Sequence, residues 1–314
     1  MMAKLRVEHV ETVSDRISMF TLVAVDAGAL DGFAAGAHLD FDLGAAGTRS
    51  YSLVAFTGPE PAPGAYRIAV QREDAGQGGS RAMHALAPGD HVTVTAPKND
   101  FRLHDGPAPA LLIAGGIGVT PVISFAGALT ARGTPFAFHY ATRSADLCAF
   151  RPRLEKRFAG SLTLWFDDRN MIDLDRIIGG AAPETHVYCC GPKGMIEAVR
   201  ERAEAAGLPR DQVHFELFSS PTPHDGDRPF EIEIADGRVF TVPAGKTIIE
   251  VLEEGGVDVM FDCTRGDCGI CQTDVISGEP DHRDVVLSDA ERAAGNVMQI
   301  CVSRARSARL VLDI

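Results

Sequence analysis

Basic charge is what this chain most lacks. Its 314 residues carry 30 Lys and Arg against 43 Asp and Glu, a formal net charge of −13. A chain of that sign repels phosphate backbones, so no nucleic-acid partner is expected. The first twenty residues alternate charged and apolar side chains and lack the apolar core of a secretory signal, which points to a cytoplasmic protein. One uncharged stretch, Ala108 to Ala131, is long enough to raise a membrane span. It holds Pro109 at its start and Gly115, Gly116, Gly118 and Pro121 in its middle, which suits a strand, a tight turn and a helix better, and no membrane association is expected. Internal repeats and low-complexity tracts are missing, and histidines such as His38, His84 and His104 show no metal spacing and read as surface or packing residues. The seven cysteines are an odd count in a chain without an export signal, which argues against a disulfide framework and for a reducing compartment, where clustered cysteines bind metal or do chemistry.

The chain divides into three stretches, read as a multidomain protein with boundaries at 1–104, 105–222 and 223–314. In the first, short alternating runs at Ser18 to Val25, His38 to Leu43, Tyr66 to Val70 and His91 to Ala96 are broken by Gly, Pro and Asp turns, the pattern of an antiparallel β-barrel, with one helix at Ser80 to Leu86. In the second, apolar runs at Ala110 to Ala114, Phe136 to Tyr140, Leu162 to Phe166 and His186 to Cys190 alternate with helices at Pro121 to Ala131 and Gly194 to Ala206, the rhythm of an α/β domain with a parallel sheet. The polar, proline-bearing run Ser219 to Asp227 reads as a linker. The third stretch opens with a hairpin, Phe230 to Ile234 and Val239 to Val242, and a helix from Thr247 to Glu254. It carries 18 acidic against 9 basic residues, so most of the chain's net negative charge sits in less than a third of its length, a face suited to a basic partner surface.

Four of the seven cysteines fall in that third stretch. Cys263, Cys268 and Cys271 spell C-x4-C-x2-C, and Cys301 follows after 29 intervening residues. This is the plant-type [2Fe–2S] spacing, in which thiolates complete the coordination of two bridged irons. A single loop wrapping a cluster needs Gly266 and Gly269 where side chains would block its approach, and its peptide N–H groups then point at the sulfurs. A four-cysteine zinc site is the alternative, but such sites come as C-x2-C pairs. With Gly278 to Asp284 (GEPDHRD) and the ending from Cys301 to Ile314, residues 229 to 314 resemble the ferredoxin domain of the phthalate dioxygenase reductase family. The resemblance extends over the whole chain in that family's domain order, and it implies an α+β ferredoxin of the β-grasp type at the C-terminus.

Two further motifs fit the same reading. Gly115, Gly116, Gly118, Thr120 and Pro121 lie between a buried strand and a helix, where a backbone can approach a pyrophosphate at the positive end of the helix dipole. A plain glycine-rich turn would look the same. Cys190, Gly191 and Pro192 end another strand, and a similar motif in ferredoxin-reductase-like folds lies under the nicotinamide with the cysteine beside the hydride-bearing carbon. Cys189 and Cys148 read as small buried hydrophobes. Arg49-Ser50-Tyr51-Ser52 resembles the flavin motif of the superfamily: a guanidinium to clamp phosphate, a ring to pack along the flavin, and the Ser52 hydroxyl for its N5 edge. Its companion is the turn Gly76 to Ser80, in which Gly78, Gly79 and Ser80 would offer N–H and O–H groups to a phosphate. The resemblance implies FMN over FAD and NADH over NADPH, although Arg143 stands where a 2′-phosphate could be read. Phe218 corresponds by position to the aromatic residue that covers the flavin in that family.

These modules imply an electron path from NADH through FMN to the cluster and on, one electron at a time, to an oxygenase component with a Rieske centre. The alternatives are delivery to a cytochrome P450 or another acceptor and, in a different class, a redox sensor or zinc-stapled binding protein.

Overall fold

The computed structural model describes residues 2–25, 29–58, 64–218 and 226–314. The chain compacts into two units, Met1–Glu216 and Leu217–Ile314. The linker expected at 219 to 227, and the boundary expected at 222/223 within it, fall on or beside residues outside the described set.

The first unit begins with an antiparallel sheet of β1 (Met2–Ser14), β2 (Ile17–Ala24), β3 (His38–Asp42), β4 (Thr48–Ser52), β5 (Tyr66–Gln71) and β6 (His91–Thr95), in the order β4-β3-β6-β1-β2-β5. Beyond β4 the chain crosses to the far edge: Leu53 bridges Ile68, and Val54 N–H donates to Arg67 O at 2.8 Å. That bridge joins the two edges and curls the sheet into a barrel. Its interior is lined by residues including Leu5, Val7, Phe20, Leu22, Leu39, Phe41, Ile68 and Val94. The short helix α1 (Gly79–His84) follows β5.

The second half of this unit is a parallel sheet of β7 (Ala110–Gly115), β8 (Phe136–Thr142), β9 (Leu162–Phe166), β10 (His186–Cys190) and β11 (Val213–Glu216), with α2 (Val119–Arg132), α3 (Arg151–Phe158), α4 (Leu174–Gly179) and α5 (Lys193–Ala205) in the connections. The strand order is β11-β10-β7-β8-β9. All six residues of β7 are buried, as a central parallel strand covered on both faces requires. The uncharged stretch therefore folds as strand, turn and helix, and no helix among the described residues is long and apolar enough to cross a membrane. Barrel and sheet share one core, in which Ile17, Met19, Val54 and Ala69 pack with Leu112, Val119, Phe125 and Tyr188. This common core is why two sequence modules compact as one unit.

The second unit holds β12 (Phe230–Ile234), β13 (Val239–Val242), α6 (Ile248–Glu254), β14 (Gln272–Ser277), β15 (Pro280–Asp281), α7 (Asp289–Ala294), β16 (Val297–Gln299), β17 (Arg304–Ala305) and β18 (Arg309–Leu312). Its main sheet runs β13-β12-β18-β14-β16, with β12 and β18 parallel and the other pairs antiparallel. Thr247 and Glu250 form a reciprocal capping box that starts α6, whose Ile248, Ile249 and Leu252 pack into the sheet's core.

Histidines read as packing residues turn out to pack on one another. His104 and His186 stack at 4.1 Å and 7°, His186 and His214 at 5.3 Å, and Tyr188 lies on His214 at 4.5 Å. His186 Nδ1 and His214 Nε2 are 3.0 Å apart and share one hydrogen, so both rings cannot be charged together. Burial pushes His214 down to about 4, and the same cause brings His139, whose Nδ1 accepts from Trp165 Nε1, to about 4. Between pH 6.5 and about 4 the unfolded chain binds protons that these folded rings refuse, so their contribution is complete above that window and is lost as pH falls through it. Urea unfolding followed across this range should show falling stability in the wild type. The slope should be shallower in His214→Phe, and an unchanged slope would remove His214 from the cause.

Candidate functional site

β4 and the turn before α1, nearly thirty residues apart, form one site. Arg49 lies across Gly79, where an added Cβ would stand 2.6 Å from Arg49 Cγ and 2.8 Å from Nε. The guanidinium donates to Thr48 O at 2.6 Å and to Gln77 Oε1 at 3.0 Å. Gly78 enters the helix at φ +93, a left-handed conformation that favours glycine, and no side chain caps the first turn. Arg49, Gly78 and Gly79 thus offer a guanidinium and main-chain N–H groups on one surface, a donor set that fits a phosphate. Tyr51 is half-buried, meets Phe41 edge-on at 5.4 Å, and burial pushes its phenol up to about 12, so the ring is neutral. Ser52 is buried, opposite His38 in the β3–β4 register.

Two expected ligands are engaged elsewhere. The Ser50 hydroxyl donates to Asp40 Oδ1 at 2.6 Å, and Asp40 also takes the Lys98 ammonium at 2.7 Å. Alternation along the strand turns Ser50 away from Arg49 and Tyr51. The Ser80 hydroxyl accepts from Glu73 N–H at 2.9 Å and closes the loop that carries the glycines.

The glycine loop after β7 and the turn after β10 meet where the strand order reverses, since the chain leaves β7 for β8 and β9 on one side and returns to β10 and β11 on the other. Open α/β sheets bind nucleotides in the crevice at that point. A Cβ on Gly118 would lie 2.2 Å from the Cys190 carbonyl oxygen, and one on Gly115 2.7 Å from Pro192 Cδ. Gly191 lies as close, its Cβ position 3.1 Å from Gly115 Cα. Thr120 is buried and donates to Ile117 O at 3.0 Å, closing the turn, while Gly116 faces open space at φ +55. Cys190, expected beside the reacting carbon, is fully buried in the core that barrel and sheet share, while Gly116, Gly191 and Pro192 beside it keep exposed surface. Cys148 and Cys189 are buried too, and burial pushes both thiols up to about 12, which leaves them protonated and inert. Arg143 is exposed past β8, and Asp167 N–H donates to Thr142 O at 3.1 Å, bringing Asp167 and Asp168 to the same sheet end.

In the second unit the four motif cysteines converge. The Cys263 thiol lies within hydrogen-bond reach of those of Cys268 and Cys301, and Cys271 within reach of Cys301. They compete for protons: contacts with Cys268 and Cys301 pull Cys263 down, and those with Cys263 push Cys268 and Cys301 up. Among the described residues no three His, Cys, Asp or Glu side chains surround a point suited to one metal ion. The contacts run as one series, Cys268 to Cys263 to Cys301 to Cys271, which brings four thiols together, the number that a two-iron cluster takes, two at each iron. Gly266 and Gly269 both take φ +80, and a Cβ on Gly266 would strike Val302 Cγ2 at 2.6 Å and approach Asp284 Cα at 3.1 Å. Arg265 N–H donates to Cys263 Sγ at 3.3 Å and Ile270 N–H to Cys268. These features fit a [2Fe–2S] cluster. Phe218 is 38% exposed, in the first residues of this unit.

Three positions escaped the sequence reading. Asp267, inside the cysteine loop, is buried; its Oδ2 accepts from Leu217 N–H at 2.8 Å, and burial pushes it up to about 7 with the Arg265 guanidinium 3.4 Å away. Ser124 and Gly127 of α2 touch the barrel directly. A Ser and a Gly three residues apart in an apolar helix were the available signal, since a mid-helix glycine usually has a packing reason.

The second unit matches the family model of the 2Fe-2S iron-sulfur cluster binding domain over residues 232–306. The chain is similar to the phenoxybenzoate dioxygenase subunit beta of Ectopseudomonas oleovorans, at 40% identity over 99% of this chain and 97% of that one. Among solved structures it resembles phthalate dioxygenase reductase, described as a modular structure for electron transfer from pyridine nucleotides to [2Fe-2S], with a TM-score of 0.73 and 35% identity over 100% of this chain and 98% of that chain. It also resembles an intact type IV self-sufficient cytochrome P450 monooxygenase, with a TM-score of 0.72 and 35% identity; all of this chain is covered, but only 41% of that longer one.

The glycine contacts generate a stability prediction. Gly118→Ala drives a methyl into the Cys190 carbonyl and should cost about 1–3 kcal/mol, as overpacking does. Gly179→Ala, at an α4 position with nothing within 4 Å, should stay within about 0.5 kcal/mol of wild type. Equal denaturation midpoints for the two variants would show that the close approach is not a constraint.

Proposed function

The chain belongs to the phthalate dioxygenase reductase family, and we propose that it is the reductase component of a two-component Rieske non-haem iron oxygenase or demethylase, taking electrons from NADH through FMN and a [2Fe–2S] cluster to the oxygenase. The observation that carries this reading is the convergence of four thiols on a chain whose other unit holds a phosphate-type donor set and a nucleotide-type crevice. Together such cofactors, when bound, turn the electron pair of a pyridine nucleotide into single electrons that an iron acceptor takes.

In this reading Arg49, Gly78 and Gly79 bind the FMN phosphate, Tyr51 packs along the ring system, and Ser52 lies near its reactive edge. A single clamp of this kind suits FMN better than the pyrophosphate of FAD. Gly115, Gly116, Gly191 and Pro192 line the nicotinamide crevice, with Thr120 holding the turn. Asp167 and Asp168 favour NADH, because carboxylates accept from ribose hydroxyls and repel a 2′-phosphate. Seven cysteines with no disulfide among them suit a reducing cytoplasm. Similarity to a self-sufficient P450 favours a second reading in which the acceptor is a haem protein.

Anaerobic titration with NADH, followed by visible absorption, tests the proposal. Flavin bands over a broad cluster absorption should both bleach. A protein that stays colourless after iron and flavin reconstitution, or holds zinc without iron, refutes it. Cys301→Ser should lose the cluster absorption and reduction of a protein acceptor while NADH still reduces the flavin; loss of flavin reduction as well would deny the two steps their independence. Arg49→Ala should weaken FMN binding roughly tenfold or more, the worth of one charge-assisted phosphate contact, and leave the cluster spectrum intact. Unchanged FMN affinity would remove Arg49 from the clamp.

A further inference from the structure

We propose that Ser124 is a positioning residue for hydride transfer, a buried hydroxyl that sets the gap between the flavin strand of the barrel and the glycine loop of the nucleotide crevice. The inference rests on the function proposed above and adds a residue to it.

Ser124 has no exposed surface and sits among buried Val122, Ile123 and Phe125 in the second turn of α2. Its hydroxyl donates to Leu53 O at 2.7 Å and accepts from Ala55 N–H at 2.9 Å. These two main-chain groups lie just past β4, where the chain leaves one barrel edge for the other. Leu53 and Val54 N–H groups find backbone partners in Ala37 and Arg67, and the serine takes the carbonyl and N–H that remain.

The position of this contact gives it reach. Leu53 follows Ser52, the last residue of the flavin strand. Ser124 lies six residues after Gly118, about 9 Å along the helix. One turn further, Gly127 meets the same segment, and a Cβ there would stand 2.6 Å from Ala55 O and 2.8 Å from Gly58 N. β5 runs beside the Gly116–Gly118 turn on the same side. The helix that hangs from the nucleotide loop is therefore bonded to the backbone that leaves the flavin strand through one short, fully buried side chain. Packing alone does not call for a hydroxyl here, since Ala would fill nearly the same space. What the hydroxyl adds is a fixed distance and direction, and a misplacement of about 1 Å at a reacting centre costs on the order of 100-fold in rate.

The test is Ser124→Ala in the full chain carrying FMN and cluster, with anaerobic stopped-flow reduction by NADH. The expected result is unchanged FMN content and cluster spectrum, a KM for NADH within about twofold, and a limiting rate of flavin reduction lower by about tenfold or more. The long-wavelength absorbance of nicotinamide stacked on flavin should weaken in parallel. A wild-type limiting rate with that absorbance intact overturns the proposal. If Ser124→Ala fails to retain FMN, Ser124→Cys, which keeps the volume and weakens both hydrogen bonds, is measured in the same way, and a wild-type limiting rate there overturns it equally. A wild-type chain whose flavin NADH does not reduce overturns the functional reading, and this inference with it. Reduction of the wild type alongside an unimpaired variant overturns this inference alone.

Discussion

Two main-chain turns meet at the carboxyl ends of β7 and β10 at distances that a Cβ on Gly115 or Gly118 would not allow, and the first unit is arranged around that approach. Gly118 against the Cys190 carbonyl, and Gly115 against Gly191, Pro192 and the Met195 side chain, let neighbouring parallel strands end side by side. A nucleotide site needs backbone at the surface and an open helix start, and a Cβ at either position would cost both. The same loop launches α2, whose Ser124 and Gly127 hold the barrel. Each glycine is thus placed where steric exclusion, not flexibility, is the requirement.

The second unit solves a different problem with the same residue. Its thiols must face one another at short range, which leaves a tightly wound loop. Positive φ at Gly266 and Gly269 makes that winding possible, and Val285 N–H, donating to Gly266 O at 3.0 Å, holds it. Below it, Arg283 grips Asp227 through two hydrogen bonds of 2.6 and 3.1 Å and reaches Asp281 at 2.8 Å, while Arg304 donates to the carbonyls of Lys246, Arg228 and Pro243. Ion pairs of this degree of burial add little net stability against an apolar substitute, but removing one partner strands the other charge. Their use here is register: they fix the start of the unit and the segment after Cys301 against each other.

Much of this was legible in the sequence, and the physical reasons separate what was from what was not. β9, β10, β12 and β13 fall on their expected residues because each is a short apolar or alternating run bounded by turn formers. α3 and α4 escaped because their exposed faces are rich in charge and only Leu154, Phe158, Leu174 and Ile178 are buried, too few for a clear period. The cysteine loop was readable because its chemistry demands fixed spacing along one loop. Cys190 was harder: a motif reports that a strand ends at the crevice, but not how deeply its last side chain is buried, and here it is fully buried. Ser50 and Ser80 are of the same kind, since a hydroxyl's partner depends on neighbours such as Asp40 and Glu73 that no local pattern ties to it.

Charge distribution carries the synthesis one step further. Residues 223 to 314 hold 18 acidic and 9 basic side chains, leaving the rest of the chain close to balance at 25 against 21. The stretch that holds the thiols is therefore the one with a long-range field, and a field acts on encounter more than on affinity. For a protein that hands on single electrons this is the useful side of the trade, because a partner that binds too tightly must also be released at each step. An acceptor drawn by this field presents positive charge, and its encounter rate falls as salt screens that attraction over a Debye length of about 8 Å at physiological ionic strength. The nucleotide crevice gains from the opposite arrangement: a pyridine dinucleotide is an anion, and a stretch whose net charge is small does not repel it, while main-chain N–H groups at the start of α2 supply positive potential locally.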